Sequence, residues 1–154
     1  MALTRINNNS LSAVTSAGLP EGSVIQVVQD TFQNKVTNGT TTPAATGLSA
    51  TITPSSTSSK ILVTVYGSCE LVQSGTTNIY PLYKNGSSLN GTFMILSDPI
   101  ADGGAMSAAF LDSPSTTSAT TYALYFYTEN SGYTASFGSQ TAAGYYLNTI
   151  TLME

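Results

Sequence analysis

The chain of 154 residues has no histidine, no tryptophan and one cysteine, and only 8% of its residues are Asp, Glu, Lys or Arg. Each shortage excludes something. Without histidine there is no Ser–His–Asp or Cys–His nucleophile and no imidazole metal ligand. The single cysteine, Cys69, cannot close an internal disulfide, so stability has to come from packing or from association. Average soluble domains carry roughly 25% charged residues. Here the surface must instead be built from Ser, Thr, Asn, Gln and Gly. Such a surface is hydrated but carries little field, and it does not hold copies apart by charge. Composition alone leaves two readings open: a subunit of a fixed assembly, or an extracellular β-domain with a hydroxyl-rich skin.

The few charges narrow the partners. The net charge is −4, and the basic residues Arg5, Lys35, Lys60 and Lys84 are scattered along the chain. Binding to phosphate backbones needs a clustered basic face, so no nucleic-acid partner is expected. No apolar run approaches the ~20 residues of a membrane helix, so no membrane insertion is expected either. Residues 1–14 contain no apolar core of signal-peptide length. The acids form no recognisable constellation. Asp98 and Asp102 share a loop with Pro99 and Gly103, match no calcium-loop spacing, and read as turn formers. There is no phosphate-binding glycine loop. We therefore expect no catalytic residue, no cofactor and no metal site, and not an enzyme.

What the chain does have is alternation. Residues 47–71, GLSATITPSSTSSKILVTVYGSCEL, hold two alternating runs around a Pro/Ser/Thr turn. Leu48, Ala50 and Ile52 share one face of the first run. Ile61, Val63, Val65, Gly67, Cys69 and Leu71 share one face of the second. Period-two alternation on both sides of a turn predicts half-buried antiparallel strands. On that apolar face Cys69 reads as a small buried hydrophobe rather than a nucleophile. Further strands are predicted at 23–30, 78–84, 88–96, 104–112, 120–128, 133–137 and 145–153. Asn85-Gly86 is a type I′ hairpin signal, and Pro81 predicts an edge strand or a bulge. With no helical period in the body and no fixed repeat, the expected fold is all-β. It is an antiparallel two-sheet sandwich, jelly-roll-like, over residues 21–154, with a short N-terminal arm at 1–20.

Two predicted strands are apolar or aromatic on both faces. At 120–128, Tyr122, Leu124 and Phe126 suit a core, which leaves Tyr125 and Tyr127 outside. At 145–153, Ile150 and Leu152 lie on one face and Leu147 and Met153 on the other. A second apolar face has to meet something. Tyr125, Tyr127, Leu147 and Met153 are therefore candidates for an interface between copies. In the arm, Leu3, Ile6, Leu11 and Val14 are candidate docking residues. The tyrosine clusters could alternatively stack on sugar rings.

Four stretches carry a resemblance: LPEGSVIQVVQ (19–29), GLSATITPSSTSSKILVTV (47–65), LDSPSTTSATTYALYF (111–126) and the closing NTITLME (148–154). Together they resemble small virion proteins of tailed phages, common among marine and cyanobacterial phages. The resemblance implies a β-sandwich module, usually a homotrimer, at a tail fibre or decorating the capsid, and hence a virion location. Only residues 1–22 precede the first predicted strand, so the expectation is a small protein docked by its arm onto other virion proteins. The alternative is a receptor-binding fibre tip for host attachment through surface glycan, with loops 31–46, 73–77, 97–103 and 138–144 as the contact surface.

Overall fold

The computed structural model describes residues 19–20, 22–69, 77–89, 93–97, 104–141 and 144–154. In chain order the strands are β1 (Val27–Phe32), β2 (Val36–Asn38), β3 (Ala44–Ile52), β4 (Ile61–Cys69), β5 (Thr77–Tyr80), β6 (Leu82–Lys84), β7 (Ser87–Ser88), β8 (Met94–Ser97), β9 (Gly104–Asp112), β10 (Thr120–Thr128), β11 (Ala135–Phe137), β12 (Gln140–Thr141), β13 (Gly144–Tyr145) and β14 (Asn148–Met153). Every pairing is antiparallel, and there is no helix among the described residues.

The first sheet runs β1-β14-β4-β9. In the second, β10 is central, with β3 on one side and β5 and β6 on the other, followed by β8 and β7. Pro81 breaks β5 from β6 because it has no N–H to donate; its carbonyl still accepts from Tyr125 N–H at 3.0 Å. The proline thus sits in an inner strand path as a break, not at an edge. The β6–β7 turn is the expected one, with Asn85 at φ 50° and Gly86 at φ 80°. Taking β5 with β6 and β7 with β8 as single paths leaves eight long strands. The first then pairs with the eighth, the second with the seventh, the third with the sixth and the fourth with the fifth. A long hairpin rolled into two layers gives this order.

The period-two pattern becomes the core directly. Ile61, Val63, Val65 and Cys69 of β4 and Ile150 and Leu152 of β14 face Leu48, Ala50 and Ile52 of β3, Tyr122, Leu124 and Phe126 of β10, and Tyr80 and Leu82; all are buried. β11 pairs with β2 and plugs one end, where the fully buried Phe137 ring lies 5.7 Å from Phe32 and 6.4 Å from Tyr80. Buried asparagines bind the loops there. Asn148 Oδ1 accepts from Ser68 N–H at 2.7 Å, and its Nδ2 donates to the carbonyls of Phe32 and Tyr146. Asn38 Nδ2 donates to the carbonyls of Phe126 and Thr42.

Some boundaries differ from the sequence reading. The first strand starts at Val27, not 23, and Val24, Ile25 and Val27 are exposed. β3 begins at Ala44 because its first residues pair with Tyr125 and Phe126 beyond an irregularity. There Ala123 pairs Ser49 while Tyr125 pairs Ala45, so Thr46 to Leu48 bulge opposite Leu124. Thr46 replaces the lost ladder bonds: its hydroxyl donates to Leu124 C=O at 2.8 Å and accepts from Leu48 N–H at 3.1 Å. Leu71, Asp98, Asp102 and the arm candidates Leu3, Ile6, Leu11 and Val14 lie outside the described residues.

Candidate interaction surface

Strand register fixes which residues share the outer face of the first sheet. Three rows cross all four strands: Val27–Met153–Leu62–Leu111, Gln29–Thr151–Thr64–Ala109 and Thr31–Thr149–Tyr66–Ser107. None of these residues is charged. The first row is apolar from edge to edge, and Val27 and Leu111 are 57% and 60% exposed at its two ends. Exposed Val24 and Ile25 extend it beyond the strands, and the backbone at Ile25 and Gln26 is held against Glu154. A depression of about 340 Å³ lies there, lined by Val24, Ile25, Leu62, Leu111 and Met153, with the charged Lys60 and Glu154 at its border. A second, of about 460 Å³, is lined by Thr64, Tyr66, Ser107, Ala109 and Thr149 on the same face. Fully burying a Val or Leu side chain is worth roughly 1.5–3 kcal/mol, so covering this row offers several kcal/mol. Isolated exposed apolar residues are ordinary, whereas a contiguous row is a contact signal.

The candidates picked from the sequence do not form one patch. Met153 is in the apolar row. Leu147 lies just before β14 and is exposed. Tyr125 and Tyr127 are half-buried on the outer face of the other sheet. Tyr125 is already partly covered within the subunit: its ring stacks on Tyr83 with centroids 3.9 Å apart and planes 18° from parallel. Tyr127 pairs across the strands with Ile79. Val27, Leu62 and Leu111 were missed as a group because each belongs to a different strand; only the registers bring them level.

Neither a scan of protein-family models nor a search of curated proteins finds a match to this chain. The surface has to be read from its own chemistry.

The ionisable groups serve as ties between elements. Asp112 Oδ2 accepts from Tyr122 Oη at 2.6 Å and from Lys84 Nζ at 2.9 Å. Burial pushes the Asp112 carboxyl up, but the bonds from Tyr122 and Lys84 outweigh it and hold the carboxyl below its usual value. Burial, and then the bond to Asp112, raise the Tyr122 hydroxyl. Glu154 secures the Pro/Ser/Thr turn: its carboxylate accepts from Ser55 N–H at 2.8 Å, from Ser59 Oγ at 2.5 Å, and also from Ser55 Oγ and Gln26 Nε2. Partial burial pushes that carboxyl up, yet the bonds from Ser55, Ser59 and Gln26 bring it down to about 2. Among the described residues no three of His, Cys, Asp and Glu gather as metal ligands.

Proposed function

We propose that this chain is a structural subunit of a tailed-phage particle. In this reading it is a jelly-roll sandwich that associates with copies of itself and is carried on the capsid, tail or fibre by residues 1–20. The observation that carries self-association is the outer face of the first sheet, three rows without a charge and one of them apolar from edge to edge. The first-with-eighth, second-with-seventh pairing supports the jelly-roll assignment. The phage assignment rests on the resemblance of the four sequence stretches. Burial of the apolar row between copies would supply the adhesion, while the Ser/Thr-rich turns stay in water. Deleting residues 2–18 should leave a folded oligomer that no longer joins particles. A deleted protein that still copurifies with virions would overturn the docking role of the arm.

A second reading is a glycan-binding fibre tip, which the stacked Tyr83–Tyr125 pair favours. Beside it lies a depression of about 250 Å³ lined by Ala45, Ser49, Thr121, Ala123 and Tyr125 among others. An aromatic wall beside small and hydroxyl-bearing residues matches the apolar and polar faces of a sugar ring. Binding on a glycan array that is lost in Tyr125→Ala would support this reading; silence on the array with normal incorporation into particles favours the structural role.

A further inference from the structure

The two long flanks of the sandwich are unlike. On the β1/β3 flank, Phe32 closes the gap between sheets: a Cβ built on Gly47 would lie 2.8 Å from its ring. On the other flank β8 lies across from β9, and the described side chains between them are less deeply buried than the core. Ala108 and Phe110 point inward from β9 yet are only half-buried, as are Leu89 and Phe93 near the other sheet's edge.

The edges differ in the same way. Natural sheets blunt exposed edges with short strands, bulges, prolines or charges. β1 has six residues and carries Asp30, β3 is bulged at Gly47, and the outermost path of the second sheet is split into β7 and β8. β9 has none of these devices. It is nine residues long, stays in unbroken register with β4, and carries no charge before Asp112. Every second residue of such a strand turns its N–H and C=O away from its neighbour. Among the described residues no strand pairs with β9 on that side.

We propose that the β9 edge pairs with the β9 edge of a second copy, antiparallel about a two-fold axis through Ala108. The sequence is self-complementary in that register. Leu111 falls opposite Ala105 of the second copy, Phe110 opposite Met106 and Ser107 opposite Ala109. The single charge, Asp112, falls opposite Gly104 rather than its own copy. The two first sheets become one sheet of eight strands, and Phe110 gains cover from the second copy. The contact uses an edge, so it leaves the outer face of the first sheet free for the association proposed above.

Directly opposed residues in an antiparallel pair have Cα atoms about 4.5–5.5 Å apart, within disulfide range. Ala108 is the position the axis places opposite itself, and no contact through the outer face can bring two inward-pointing residues together. In a Cys69→Ala, Ala108→Cys protein under a glutathione redox couple, a disulfide-linked dimer with unchanged circular dichroism is expected. Wild-type protein should also show concentration-dependent slowing of hydrogen exchange at alternate amides of 104–112. If the wild type is oligomeric but no cross-link forms and β9 exchange is independent of concentration, the edge contact is wrong and association through the face stands. If the wild type is monomeric at every concentration, both are wrong.

Discussion

Tyr122 Oη donates to Asp112 Oδ2 at 2.6 Å, which joins the central strand of one sheet to the edge strand of the other. Lys84 Nζ completes the tie from beside Tyr122. A hydrogen bond to a charged acceptor is worth roughly 1.5–3 kcal/mol, so Tyr122→Phe should lower unfolding free energy by about that amount. Asp112→Ala should cost more than Tyr122→Phe, because besides losing that bond it strands a fully buried hydroxyl, itself worth about 1–3 kcal/mol, and takes the counter-ion from the part-buried Lys84. Urea denaturation of the two variants measures both.

Acid should release the Pro/Ser/Thr turn. The Glu154 carboxyl has an ordinary value of 4.5 and is lowered to about 2 in the fold. A depressed carboxylate stabilises the fold above its unfolded value, and that contribution is lost as pH falls through the folded one. Melting temperature should therefore drop between pH 4.5 and about 2. Glu154→Gln should melt lower at neutral pH and show a shallower drop across that window.

Gly47 is required by its neighbour as well as by its backbone. Its φ is +92°, and an added Cβ would meet the Phe32 ring at 2.8 Å. Gly47→Ala should destabilise the fold by roughly 1–3 kcal/mol. Calorimetric melting checks it.

Cys69 is 1% exposed, and its sulfur lies 3.8 Å from the Gly104 carbonyl oxygen. It should react with a thiol reagent in native buffer only as fast as the protein opens, and at once in denaturant. Rapid labelling of the native protein would contradict its place in the core.

The core was legible in the sequence because alternation is local. Ile61, Val63 and Val65, or Tyr122, Leu124 and Phe126, declare their common face within one strand, and the sheets bury those faces. The all-β sandwich follows from that pattern. The surface was less legible because it depends on pairing between distant segments. Val27, Met153, Leu62 and Leu111 form a row only once β1, β14, β4 and β9 are aligned. The same blindness made Tyr125 look like a bare interface residue, when Tyr83 already stacks on it from the neighbouring strand. The bulge at Thr46–Leu48 was invisible for a related reason: a threonine hydroxyl replaces ladder bonds that strand patterning assumes intact.

Self-association through the first sheet is tested most directly by mass in solution. The wild-type protein should sediment as an integral multiple of the 16.0 kDa chain. Leu62→Lys with Leu111→Lys places two ammonium groups in the apolar row without touching the core. That double variant should stay folded, with wild-type circular dichroism, and lose the wild-type mass. A wild type that sediments as a single chain at all concentrations, or a double variant of unchanged mass, would contradict the account.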